Sequence, residues 1–320
     1  MTIELASAHT VQKPWGVPNM RPWSEAASGG ASMGEIIYER PGRTVLAPAL
    51  LLKILLTSQP LSIQVHPNDD TAHAMGLPNG KTEAWYILGA KPDAKVAVGL
   101  KQSMTKLQLR AAINDGSIAE HVAWRGVTTG DVIVVPAGTI HAIGAGLVIA
   151  EIQQRSDTTF RLFDYGRSRE LQVERALVAA HTEPAELQLW PDRLTDERSL
   201  LVDNPHFIFE RIELLPGSAW YLHATTETWL LVIAGSASTG TVSVITGNAL
   251  FVESDRVELR AGAQGVVALV AYVGAGGPAV DLLQRVTVDF SMAVQDPPLP
   301  RRLQLLAKSS SSPSYGDTRP

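Results

Sequence analysis

Gln64 and His66 stand two residues apart in the strand-like run LSIQVH, so their side chains leave the same face of the chain. Ser62 shares that face, while Ile63 and Val65 point to the other. Pro67 then ends the run, because proline cannot donate to a ladder. After a turn-rich loop, Lys81, Glu83 and Trp85 alternate in the same way, and His141 follows the turn PAGTI directly. If these segments lie close together in one barrel, Gln64, His66, Glu83 and His141 converge. Two imidazole nitrogens and two oxygens suit Zn²⁺, with ligand distances of about 2.0–2.2 Å and room for a water or substrate oxygen. Fe²⁺, Co²⁺, Ni²⁺ and Mn²⁺ accept the same donor types. With a single anionic ligand the ion keeps net positive charge, which favours polarisation of a carbonyl or hydroxyl. On spacing alone the same residues also read as a solvated Gln–His pair, a Lys81–Glu83 surface ion pair and a loop cap at His141.

The elements that must position these groups are mostly short strands. Glu35–Glu39, Leu50–Leu56, Leu61–Val65, Glu83–Leu88, Val132–Val135, Leu147–Gln153 and Thr159–Tyr165 are rich in Val, Ile, Tyr, Phe and Thr, with Gly, Pro, Asn and Asp between them. That spacing predicts an antiparallel sandwich or barrel. Two stretches read as helical. In the first, 105–120, Leu107, Ala111 and Ala112 share a face and Gly116 interrupts; in the second, 171–180, Val173, Leu177 and Ala180 recur at helical spacing. A second β-rich series begins at Phe207, after the polar stretch 191–205.

Of 320 residues, 45% are hydrophobic and 18% charged, ordinary values for a globular chain with a sizeable core. The net charge of −5, with no basic block, argues against nucleic-acid binding as the main task. Cysteine is absent, which excludes disulfides, thiolate metal sites and a thiol nucleophile. The start, MTIELASAHT, has no basic segment followed by an apolar run, and the longest apolar stretch, Pro48–Leu56, is interrupted by Lys53. The expectation is a cytoplasmic protein without membrane or nucleic-acid partners; its oligomeric state is left open.

The segments LLLKILLTSQPLSIQVHPND, GKTEAWYIL, GDVIVVPAGTIHAIGAG and EIQQRSDTTFRLFDYGR resemble the signature blocks of type I mannose-6-phosphate isomerases, in the order of that family, and KPWG at 13–16 resembles its N-terminal block. Together they cover Lys13 to Arg167, and the overall length resembles the short bacterial form. The resemblance implies a mainly β fold, a zinc-dependent double cupin with a few short helices. It implies an N-terminal metal-binding cupin over 1–190 with a helical insert near 105–120, a connector at 191–206, and a second, metal-free barrel over 207–307. A disordered tail at 308–320 is expected from its Ser/Pro-rich composition.

The same resemblance puts one Zn²⁺ per chain on Gln64, His66, Glu83 and His141. It maps active-site positions onto Lys53, Ser62, Lys81, Asp157 and Arg161. Lys81, Lys53, Asp157 and Arg161 would be catalytic, and Ser62, Lys81 and Arg161 would bind substrate. Chemistry agrees: a sugar phosphate needs cations and hydroxyl donors, and Lys53 in an otherwise apolar strand needs a partner or a wet cavity. Arg161 also reads as a structural arginine paired with Asp157 or Asp164. The implied reaction is interconversion of mannose 6-phosphate and fructose 6-phosphate through an enediol-like intermediate. The alternatives are an isomerase of another sugar or sugar phosphate, and a sugar- or metal-binding cupin without turnover. An oxygenase is disfavoured, because Gln64 stands where such sites carry histidine. The segment LFVESDRVELRAG departs from the apolar strand and Pro-Ala turn expected in a second cupin, so a second barrel that is distorted or serves packing only is expected.

Overall fold

A computed structural model describes residues 2–25, 30–42, 47–186, 191–240, 242–274 and 276–286. Strand Leu50–Leu56, LLLKILL, is buried at every position. It runs inside a six-stranded antiparallel sheet ordered Ser7–Val17, Met33–Glu39, Leu50–Leu56, Leu147–Gln154, Glu83–Ala90 and Val132–Val135. Its lack of polar alternation has a physical cause: both faces of this sheet are covered. Leu55 packs inside the barrel with Trp15, Trp85 and Ile149. Leu50, Leu52, Ile54 and Leu56 turn outward into a core shared with Phe209, Trp229 and Phe251 of the C-terminal half. Truncating any one of those aromatics to alanine would cost roughly 3–5 kcal/mol.

The barrel is completed by a five-stranded sheet ordered Phe160–Phe163, Ile63–Val65, His141–Ile143, Lys95–Leu100 and Val122–Gly126. Ile63 and Val65 face away from the site, into a cluster with Leu109, Ile113 and Leu177 of the flanking helices, as alternation requires. Helix Lys106–Asp115 opens on a Thr105–Gln108 capping box and ends where Gly116 adopts a left-handed conformation; a short turn of helix, Ile118–His121, follows. Its buried face is Leu109, Ala112 and Ile113, whereas Leu107 is 79% exposed, so the expected face through Leu107 and Ala111 is on the opposite side of the helix wheel. Val173–Ala179 is the other flanking helix.

The second barrel is one ten-stranded antiparallel sheet. Its strand Asp255–Tyr272 pairs with Ala219–Ala224 over its first residues, and with Ile208–Leu214 and Thr228–Ser238 over its last. One bent strand thus serves two sides of the barrel, and LFVESDRVELRAG forms regular strand on both sides of Ser254 where a distortion was expected. The connector carries strands Asp192–Arg193 and Arg198–Asp203, the latter paired with Ile208–Leu214, instead of running as a plain link. Strand Thr2–Leu5 also joins this sheet, against Ala249–Glu253. All these elements belong to one compact unit, Met1–Arg285; of the unit Val286–Pro320 only Val286 is among the described residues, so the end of the expected second barrel and the tail at 308–320 lie outside them. No helix among the described residues is long and apolar enough to cross a membrane.

Candidate metal centre

Two rows of side chains face each other across the first barrel. On the five-stranded sheet, Arg161 is directly opposite Gln64, and Gln64 is opposite His141, which puts all three on one face of three adjacent strands. On the six-stranded sheet, Glu151 is opposite both Lys53 and Trp85. Glu83 lies two residues before Trp85 and therefore shares its face. The strands carrying Gln64 and Glu83 do not pair; they belong to opposite walls, and the ligand types meet across the interior. The ring centroids of His141 and Trp85, one from each wall, are 5.7 Å apart.

His66, Glu83 and His141 form the convergence point, with one donor atom of each within 4.8 Å of the others. His66 Nε2 lies 3.4 Å from Glu83 Oε2, and His141 Nε2 lies 3.4 Å from Glu83 Oε1. All three residues are buried. The other imidazole nitrogens are committed elsewhere: His66 Nδ1–H donates to the Thr158 carbonyl at 2.7 Å, and His141 Nδ1–H to the Thr139 carbonyl at 2.9 Å. Those bonds fix the tautomer that turns both Nε2 lone pairs inward, the arrangement typical of metal-binding histidines. Burial, then the charge of Lys81, holds His66 well below the usual histidine range. Burial likewise pushes His141 down to about 4. Both rings are therefore neutral near pH 7, as ligands must be. Glu83 Oε2 is buried and ion-paired with Lys81 Nζ at 2.9 Å. A carboxylate and two neutral imidazoles with lone pairs aimed at one point fit a divalent cation.

Gln64 reaches the group from the same wall: its Nε2 lies 3.2 Å from His141 Nε2, and Ser62 Oγ donates to its Oε1 at 3.0 Å. Gln64 and Lys81, which touch His141 and Glu83, also line a cavity of about 290 Å³. The other polar residues expected from sequence, Lys53, Ser62, Asp157 and Arg161, line the same cavity. Lys81 is not in the strand but just before it. Burial opposes its charge, yet the carboxylates of Glu83, Glu151 and Glu35 outweigh burial and raise it above the usual lysine range. Asp164 is occupied by Arg167 and Arg169, at 2.9 and 2.6 Å, so it is not a partner reserved for Arg161. Arg161 Nε is buried with no hydrogen-bond partner, and burial and nearby Arg169 both disfavour its charge. The expected alternation Arg161–Phe163–Tyr165 is broken by a register shift after Arg161, and Tyr165 lies beyond the strand with φ of +54°.

Sequence reasoning missed Glu151, which is 4% exposed, receives Trp85 Nε1–H at 3.2 Å and lies 3.9 Å from Lys53 Nζ. Burial, then the charge of Glu83, raises its carboxyl above the usual range. The signal was present: a lone Glu in LVIAEIQQ is as anomalous as the lone Lys in LLLKILL, and the two are cross-strand neighbours. Also missed were the Lys13–Glu35 pair, 3.0 Å apart, and Arg169, all lining the cavity.

The chain matches no protein-family model. It is 41% identical to the mannose-6-phosphate isomerase ManA of Bacillus subtilis (strain 168) over 162 residues, 48% of this chain and 49% of that protein. It is 38% identical to the mannose-6-phosphate isomerase of Streptococcus mutans over 168 residues, 49% of this chain and 52% of that one. The chain thus spans about half the length of the curated relatives it matches. In fold it resembles the crystal structure of the Bacillus subtilis mannose 6-phosphate isomerase with a TM-score of 0.75 at 23% identity, covering 85% of this chain and all of the other. A mannose 6-phosphate isomerase bound with zinc and yttrium superposes with a TM-score of 0.66 at 15% identity, covering 86% of this chain and all of the other. The resemblance read from the signature blocks therefore holds: by sequence the chain is related to the mannose-6-phosphate isomerases, and its double cupin fold is theirs.

Proposed function

We propose, from that kinship and from the contents of the cavity, that the chain interconverts mannose 6-phosphate and fructose 6-phosphate with one Zn²⁺ held by Gln64, His66, Glu83 and His141. The observation that carries the reading is an arginine whose Nε is buried without a partner, Arg161, in the cavity that Gln64 and Lys81 connect to the ligand triad. An anionic sugar derivative would satisfy the one while reaching the other. Gln64 would complete the ligand set through its amide oxygen. Turning the amide over exchanges its two ends, and the Ser62 hydroxyl then accepts from Nε2 in place of donating to Oε1. When bound, the cation would supply Lewis-acid polarisation of the sugar oxygens on C1 and C2.

The chain's own groups divide the remaining work. Arg161 neutralises the anionic end, and Ser62 and Lys53 offer donors to the sugar hydroxyls. Lys81, whose Nζ lies between the ligand carboxylate of Glu83 and the cavity, is the candidate proton donor to a sugar oxygen. The proton that moves between C1 and C2 needs a base in the cavity. Asp157 is exposed at its rim, whereas Glu151 is enclosed and has a raised carboxyl range, so Glu151 joins the catalytic set as the stronger candidate base. A phosphorylated hexose as substrate goes with a cytoplasmic enzyme. The test is coupled conversion of mannose 6-phosphate to fructose 6-phosphate, before and after chelation and with zinc restored. Activity lost to the chelator and regained with zinc supports the reading. No turnover of this substrate by zinc-loaded protein overturns it, and a small panel of other aldoses and their phosphates then decides between another isomerase and a binding role.

A further inference from the structure

Lys81 reaches the site from a segment, 80–82, that leads into the strand whose first residue is Glu83, so something other than a ladder must set the position of that segment. The main-chain pairing between the strands ends at Gln153 and Glu83. Beyond it, Gln154 takes over: its side-chain Oε1 accepts the Thr82 N–H at 2.8 Å, while its main-chain N–H donates to the Thr82 carbonyl at 3.1 Å. Its Nε2 donates to Asp69 Oδ1 at 3.0 Å, and the same oxygen accepts the Gly80 N–H at 2.7 Å. The Lys81 N–H donates to the Pro67 carbonyl at 3.0 Å. Gly80 is pressed so closely on this loop that a Cβ there would lie 2.6 Å from Asn68 C and Asp69 N. The hydroxyl of Thr82 in turn accepts the Ala137 N–H at 3.2 Å, in the turn that leads to His141. On its outer side, Asp69 Oδ2 lies 3.9 Å from His206 Nδ1 of the C-terminal half.

We infer that Gln154 and Asp69 act as a positioning couple, whose hydrogen bonds to the backbone of Thr82 and Gly80 set where Lys81 and Glu83 stand relative to His66 and His141. Neither side chain is among the ligands or cavity-lining groups; both act through residues that are. The inference rests on the metal reading for its functional consequence, but the couple itself can be read without metal.

The discriminating variants follow from the donor and acceptor pattern. In Gln154→Glu the residue can no longer donate to Asp69, and two carboxylates face each other at hydrogen-bond distance. Adding Asp69→Asn restores every bond with the roles exchanged. The introduced amide accepts from the Gly80 N–H and donates to the introduced carboxylate, which still accepts from the Thr82 N–H. Hydrogen exchange at Gly80 and Thr82 in metal-free protein should quicken at least about tenfold in Gln154→Glu, and zinc affinity should fall about 10–100-fold, the loss typical of a partner behind a ligand. In the double variant both should return to within about threefold of the original. If isomerase activity is present, kcat should fall in Gln154→Glu with KM changed less than about twofold. Unchanged exchange and affinity in Gln154→Glu, or a double variant no better than the single one, would overturn the couple. Should Gln154→Glu not fold, Gln154→Met, similar in size and without polar groups, must show the same faster exchange for the inference to stand. A chain that takes up no zinc at all defeats the metal reading, and the exchange rates alone then decide the couple.

Discussion

Both barrels of this chain bury ionic groups, and they treat them in opposite ways. In the second barrel, Glu210 accepts Arg198 Nε–H and Nη2–H at 2.8 and 2.7 Å and the Tyr272 hydroxyl at 2.7 Å, and the guanidinium also donates to the carbonyls of Ala279 and Val280. Each group there has a partner, and the interior around it is aliphatic and aromatic. In the first barrel, Lys53, Lys81, Glu83, Glu151 and two histidines share one interior, yet Arg161 Nε is left without a hydrogen bond in the wall of a cavity. An unpaired buried polar atom costs about 1–3 kcal/mol. The Arg198–Glu210–Tyr272 group is closed on itself, whereas the first barrel gathers its ionic groups around a cavity.

The sharpest way to break this contrast is to remove the anionic ligand. Glu83→Ala should abolish activity and weaken zinc binding by more than the 10–100-fold expected of an outer partner; titration with zinc and the isomerase assay check it, and full turnover by a metal-free variant would sink the metal reading. In the second barrel, Glu210→Leu leaves a buried guanidinium uncompensated and should cost about 3–5 kcal/mol in denaturant unfolding, while kcat per folded molecule stays unchanged. A fall in kcat comparable to the fall in stability would erase the division of labour between the barrels.

Acid distinguishes them next. His141 has a folded-state value of about 4 against an ordinary 6.5, so the unfolded chain binds the extra proton across that interval and the folded one does not. Stability of metal-free protein is therefore full above pH 6.5 and declines as the pH falls to about 4, by about 3 kcal/mol for this ring alone. His66 acts in the same direction. In His141→Asn the His141 part of the decline should vanish; an identical pH profile would mean that the ring is not held neutral by its surroundings. A smaller and more local effect is expected at Arg161. Arg161→Ala should lower kcat/KM about 10–100-fold, corresponding to about 1.5–3 kcal/mol for hydrogen bonds to a charged group, with zinc retained. Unchanged kinetics would refute its role.

These contrasts were unequally legible in the residues. Alternation was enough to put Ser62, Gln64 and His66 on one face, and the single lysine in LLLKILL betrayed an interior polar site. Alternation is a local property, however, and could not show that Gln64 and Glu83 come from opposite walls, since that depends on how two sheets close. It also could not weigh Glu151, whose significance comes from its cross-strand neighbours Lys53 and Trp85. The helix face failed for a related reason. Leu107 is apolar and at acceptable spacing, but the face is chosen by where Leu109 and Ile113 meet Ile63 and Val65. The register of the long strand Asp255–Tyr272 was hidden as well, because charged residues on its exposed positions conceal a strand shared between two sides of the barrel.

The two barrels can also be compared at a left-handed residue that follows a short strand in each, and here the expected effects are smallest and opposite in sign. After Val132–Val135 the first barrel uses Gly138, with φ of +90°; its N–H donates to the His66 carbonyl at 2.7 Å, and a Cβ would lie 2.7 Å from the His181 ring. After Ala249–Glu253 the second barrel uses Ser254, exposed, with φ of +49°. A side chain in the left-handed region costs about 1–2 kcal/mol. Gly138→Ala should therefore lose about that much stability, and zinc affinity with it, because the strained turn is bonded to the His66 carbonyl and leads to His141. Ser254→Gly removes the same strain, but glycine gives back about 0.5–1 kcal/mol as freedom of the unfolded chain. The net gain should be about 0.5–1 kcal/mol, a rise in Tm of about 1–2 °C, with activity untouched. A Ser254→Gly variant that lost activity would show that the second barrel's turn also shapes the site, and the contrast between a closed ionic group in one barrel and a cavity in the other would have to be redrawn.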